Sequence, residues 1–265
     1  MFDYSKLKKK TLKDLLKNTE NQPKELCLEA VKRDGFFFFF VENQTTEICL
    51  EAVKQNGYAL YYVDMKTYAV CLAAVQHRGM ALSHVVSQTP EICMAAVKQD
   101  GHALQFVREQ TPELCLEAVK RCGRALCYVK EQTENVCLGA VTNDGLSLKF
   151  VEKQTPAICY AAIEDGAWAL QYVKNKTEDM CLKAVQINGY ALRFVEDQTP
   201  EICLAAVEQY GWALQYVKNQ TPEICLAAVN QDGRALQFVK DQTPEICKAA
   251  IEQNPMASCH IKIKR

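Results

Sequence analysis

Fourteen cysteines and four histidines are the residues of this 265-residue chain best equipped for redox, metal or nucleophilic chemistry. Eleven of the cysteines, from Cys27 through Cys49, Cys71 and Cys93 to Cys247, recur at a constant interval of 22 residues. A disulfide needs Cα atoms within about 7 Å. Equivalent positions on stacked helices lie about 8–10 Å apart, which argues against bridging and against shared zinc ligation between neighbouring repeats. There is no CxxC pair, and no histidine near in sequence to complete a zinc set. The ladder reads instead as a row of small buried hydrophobes. So many unpaired thiols, with no signal-peptide pattern and no membrane-length apolar run, point to a reducing, cytoplasmic compartment.

The histidines add no site. His77, His84, His102 and His260 share no repeat position from which one could be built. His84 and His260 fall in a slot otherwise held by Phe or Tyr and read as packed or rim residues, whereas His102 falls in a variable slot and reads as exposed. The recurrent glutamates stand near helix starts, where the helix dipole is reason enough for them. No phosphate loop, HExxH or GxSxG motif occurs. The expectation is a protein that is not an enzyme, with no catalytic residue, cofactor or metal.

The elements that carry these side chains follow from the period. Residues 1–22 form a basic amphipathic cap with Leu7, Leu12, Leu15 and Leu16 on one face. Residues 23–264 divide into eleven 22-residue units, read as one α-solenoid of either hand whose last unit is a C-terminal cap. In the unit at 199–220, Thr199 and Pro200 start a helix A of about eleven residues. Ile202, Cys203, Ala206 and Val207 form its apolar stripe, and Gly211 is expected to end it as a left-handed cap. Ala213, Leu214, Tyr216 and Val217 then fit a short second helix, B, so the fold class is all-α, helix–turn–helix. A buried strand in a strand–helix horseshoe is the alternative. The third residue after each ladder cysteine is alanine in all eleven copies, from Ala30 to Ala250, which implies close helix approach. Phe and Tyr alternate along a second ladder, from Phe106 and Tyr128 to Phe238, expected to pack in the core. A glutamine before most capping threonines (Gln88, Gln110, Gln220) fits either a ladder of hydrogen bonds or plain solvent exposure.

The unit TPEICLAAVKQDGHALQFVREQ at 89–110 resembles the repeat of the domain-of-unknown-function family 4116, and the resemblance runs over nearly the whole chain. It implies no activity and no catalytic residues. It does imply a setting: large DNA viruses, amoeba-associated bacteria and some protists, and hence action among host-cell proteins.

Function in a solenoid resides in positions that stacking leaves free. The slot after the glycine holds Phe36, Tyr58, His102, Arg124, Trp168, Tyr190, Trp212 and Arg234, and a second slot three residues on includes Phe39, Tyr61 and Arg193. These are residue types that dominate interface hot spots, although side chains there could equally cover the glycine turn. Phe36 and Phe39 are expected to lie buried beneath the N-terminal cap. The chain carries a net charge of −1, and without its basic ends the repeat body is at about −8, which disfavours nucleic acid. The leading expectation is a non-catalytic protein–protein interaction scaffold with protein partners, no membrane span and, from its polar ends, a monomeric state. A single-stranded nucleic-acid reader or a structural spacer are the alternatives.

Overall fold

The computed structural model describes residues 4–262; residues 1–3 of the expected cap, the last two residues of the 23–264 block, and Arg265 lie outside them. Among the described residues every element is helical. After a short turn at Tyr4–Lys6 and the capping helix α1 (Lys9–Asn18), a ten-residue α-helix and a six-residue 3-10 helix alternate with the 22-residue period. They run from Lys24–Arg33 and Gly35–Phe40 to Pro244–Gln253 and Pro255–His260. The chain divides into two compact units, residues 1–143 and 144–265. Each is an α-solenoid in which successive repeats pack side by side. No described helix is long and apolar enough to cross a membrane.

The start of each A helix follows the sequence closely. In the helix Pro200–Gln209, the Thr199 hydroxyl accepts from the Ile202 N–H at 3.4 Å, and Pro200, which has no N–H to leave unpaired, takes the first turn. Ile202, Cys203, Ala206 and Val207 are buried. The helix ends differently from expectation. No glycine among the described residues has a positive φ, and Gly211 opens the following 3-10 helix. Its role is steric: a Cβ there would stand 2.4 Å from the carbonyl oxygen of Ala228 in the next repeat, and one on Gly101 would stand 2.5 Å from that of Ala118. The ladder alanines, wholly buried, thus keep helix against helix and offer their carbonyls to the preceding repeat's glycine.

Helix B (Gly211–Tyr216 in this repeat) is a 3-10 helix rather than a strand. Its apolar residues need only one turn and a half, and its start is fixed by a cap that the sequence reading did not assign. Asp34, Asn56, Asp100, Asp144, Asn188, Asp232 and Asn254 each accept from the N–H two residues on, at 2.9–3.1 Å.

Two side-chain devices hold repeat to repeat. Where a glutamine precedes the capping threonine, it is a staple, not a solvated group. Gln220 Nε2 donates to the Phe238 carbonyl at 3.0 Å, while its Oε1 accepts from the Lys240 N–H at 2.9 Å and from the Cys225 thiol at 3.7 Å. Gln110 repeats the pattern with Tyr128, Lys130 and Cys115. In the second device the last side chain of helix A accepts from the glycine N–H of the repeat before, as Gln231 does from Gly211 at 2.7 Å and Asn143 from Gly123 at 2.7 Å.

One junction in the second unit has none of these fittings. Between repeats 155–176 and 177–198, the glycine slot holds Ala167, the glutamine slot Lys176 and the acceptor slot Ile187. An alanine cannot approach as a glycine does, an ammonium has no lone pair to accept with, and isoleucine has no polar atom. Helix Pro156–Asp165 packs correspondingly less closely on Glu178–Ile187 than neighbouring A helices do on each other.

Candidate protein-interaction face

The B helices present their variable positions outward, because the alternate positions (Ala213 and Leu214 in the repeat above) point into the stack and are wholly buried. None of the eleven B helices contains an aspartate or glutamate, although the chain has 32. The acidic surplus is thus confined to the A helices and loops, and the B face carries aromatic rings, polar groups and cations.

In the second unit this face forms two locked clusters. Arg193 is exposed, and its guanidinium lies over three rings: Trp168 at 5.8 Å, Phe194 at 5.3 Å and Tyr216 at 5.7 Å. Trp168, 41% exposed, meets Phe194 edge-on at 5.5 Å. Tyr190 stacks on Tyr210 at 5.4 Å and meets Tyr216 edge-on. Trp212 anchors the other cluster. Its indole N–H donates to Asp232 at 2.9 Å, its ring meets Phe238, and Arg234 lies over it while pairing with the same carboxylate. The Arg234 guanidinium, then the backbone N–H of Arg234 and the Trp212 indole, hold the Asp232 carboxyl below its ordinary range against the opposing effect of burial.

In the first unit the face is more apolar. Phe36 and Phe39 are 54% and 60% exposed, so the expected burial beneath the cap does not occur. Helix α1 instead covers Phe37 and Phe38, which are buried, and its Lys13 and Lys17 lie over the Phe40 ring. Phe39 meets Tyr62, Tyr61 meets His84, and Tyr58 lies between His84 and Arg78. His102 and Arg124 lie further along this face, half-buried and exposed respectively.

The Phe/Tyr ladder also differs from expectation. Phe106, Tyr128, Phe194, Tyr216 and Phe238 are half-buried, not core. Each ring lies where the slot-after-glycine residue 26 positions earlier can reach it, as Trp168 reaches Phe194 and Trp212 reaches Phe238. A sequence signal was present: a slot that accepts Phe, Tyr and His interchangeably has an edge in water. Tyr210 and Asp232, both in the slot before the glycine, were missed because that slot varies without visible pattern.

The family model described as a domain of unknown function (DUF4116) matches residues 24–66, 177–221 and 199–243. No curated protein and no solved structure matches the chain.

Proposed function

We propose that this chain, which carries DUF4116 repeats, is a non-catalytic protein–protein interaction scaffold whose partners bind the B-helix face. The observation that carries the reading is the pre-locked set Trp168, Tyr190, Arg193, Trp212 and Arg234. Each is part-exposed and already held by a ring, a guanidinium or a carboxylate. Large rigid side chains bind with little entropy left to lose, and Trp, Tyr and Arg supply most hot-spot energy. The setting implied by the family resemblance makes host-cell proteins in the cytoplasm the proposed partners.

The absence of acids from the B helices also supports a second reading, single-stranded nucleic acid on a track of rings. The repeat body at about −8 opposes it.

Capture from a candidate host lysate discriminates the readings. Wild type is compared with a Trp168→Ala, Tyr190→Ala, Trp212→Ala variant whose fold is checked by circular dichroism. Proteins retained by wild type and lost by the variant, insensitive to nuclease, support the scaffold and its face. Equal retention by both discards the face. Capture that nuclease or moderate salt abolishes transfers the reading to nucleic acid.

A further inference from the structure

Four of the eleven B helices start without a side-chain cap, after Arg78, Cys122, Gly166 and Tyr210. In the position held elsewhere by Asp34, Asn56, Asp100 or Asn188, the helix Gly123–Tyr128 is preceded by Cys122, which makes no capping bond. The thiol is directed elsewhere: Cys122 Sγ lies 3.6 Å from Nε2 of His102, which comes from the preceding repeat. His102 Nδ1 lies 3.1 Å from Oδ1 of Asp100, and Asp100 also accepts from the His102 backbone N–H at 2.9 Å. A carboxylate only accepts, so Nδ1 carries the hydrogen and Nε2 presents a bare lone pair to the thiol. Sequence reading found no histidine near a cysteine because these two are twenty residues apart, one step of the stack.

We propose that Asp100, His102 and Cys122 form a relay that makes Cys122 a nucleophilic thiol, open to covalent modification by small-molecule disulfides. Cys122 is half-buried and His102 part-exposed, so a reagent reaches the pair from the B face. The step balances. The Cys122 thiol gives its proton to His102 Nε2, and the imidazolium is held by Asp100. The thiolate attacks one sulfur of the disulfide R–S–S–R, forming Cys122–S–S–R. The S–S bond breaks with its electron pair on the other sulfur, and that thiolate takes the proton from His102 to leave as R–SH. Asp100 is a positioning residue: it fixes the tautomer and touches nothing that reacts. No described group of three His, Cys, Asp or Glu residues is placed to hold a metal, so the three residues form a chain, not a ligand set. The glycine N–H next to Cys122 is taken by Asn143, and thiol–disulfide exchange is the reaction assigned.

The molecule contains its own controls. Cys127 and Cys259 are more exposed than Cys122; Cys127 bonds the Tyr128 hydroxyl and Cys259 the Met256 carbonyl rather than an imidazole, and the ladder thiols are buried except the half-buried Cys247. Groups that bear on the pH response are Asp100, Tyr128, whose ring meets His102 and which is coupled electrostatically to Cys122, Cys127 and Asp100, and Arg121 and Arg124, adjacent in the chain. Full-length protein is treated with 2-hydroxyethyl disulfide at pH 6 and pH 8, and mixed disulfides are timed site by site by peptide mass mapping. At pH 6, where an unassisted thiol is almost wholly protonated, Cys122 should react about tenfold faster than Cys127 or Cys259. His102→Leu, the residue found at the same position in the repeat of Leu146, should bring Cys122 down to their rate. Asp100→Asn keeps the cap, as Asn56 and Asn188 do, and should slow Cys122 more at pH 6 than at pH 8. A Cys122 no faster than the two exposed thiols at pH 6 overturns the proposal, and so does a fast Cys122 whose rate ignores His102→Leu. Melting curves of both variants keep a folding defect from passing as either result.

Discussion

A buried thiol answers two demands in this repeat: it fills the volume of a small apolar side chain, and its S–H points at the staple glutamine that ends the preceding repeat. Burial pushes the ionisation of Cys203, Cys225 and most of the ladder above the ordinary thiol value of 9.0. Below that value both the folded and the unfolded chain keep these protons. Above it the unfolded chain releases them while the folded one holds on, so stability is lost as pH rises through the raised values. Melting temperature should therefore decline above pH 9, and the decline should flatten in a Cys203→Ala, Cys225→Ala variant. Native ladder thiols should also label slowly at pH 8, with a sharp rise on unfolding; rapid native labelling would contradict the packing. Burial of these residues was legible from their period and type. Their bond to glutamine was not, because either a solvated or a bonded glutamine satisfies the same sequence.

At the scale of the element, glycine is the instructive case. A glycine after an apolar helix reads as a left-handed C-cap, and here that inference assigned the right residue the wrong reason. What requires glycine is the Ala228 carbonyl pressed against Gly211 from the next repeat, a contact 17 residues away that no local pattern displays. Gly211→Ala should thus cost about 1–3 kcal/mol in urea unfolding. Gly166→Ala should be neutral or stabilise by about 0.4–1 kcal/mol, because φ there is −168° and no atom lies within 4 Å of the added methyl. Helix B keeps a strand as its alternative in sequence for a related reason: six residues give too few periods to discriminate, and the Asp or Asn that caps it stands in a slot that also accepts Arg78, Cys122, Gly166 and Tyr210. The exposed Phe36 and Phe39 were misread because the reach of a capping helix over its neighbour depends on packing angles that sequence does not encode locally.

At the scale of the whole molecule, a repeat that touches only its neighbours writes its architecture into the sequence as a period, and that is why the solenoid class was readable at once. The interaction face was readable in part. The variable slots were identified, but the partners that fix them (Phe194, Tyr216 and Asp232) come from the following repeat and required the stack to be seen. The same neighbour-only logic makes the junction between repeats 155–176 and 177–198 a local matter, open to local repair. Ala167→Gly, Lys176→Gln and Ile187→Gln together restore the approach, the staple and the acceptor, and should raise stability by about 1–3 kcal/mol in urea unfolding. No gain would show that the missing fittings are compensated.

That junction also gives the second unit a mechanical grain. Tension along a stack of repeats is carried in series, so extension concentrates at the weakest coupling whatever the strength of the others. With handles on either side of this step in an optical trap, the first rip should release the chain between Ala167 and Ile187. Elsewhere in the unit, pairs of repeats joined by both glycine contact and glutamine staple should hold to higher force.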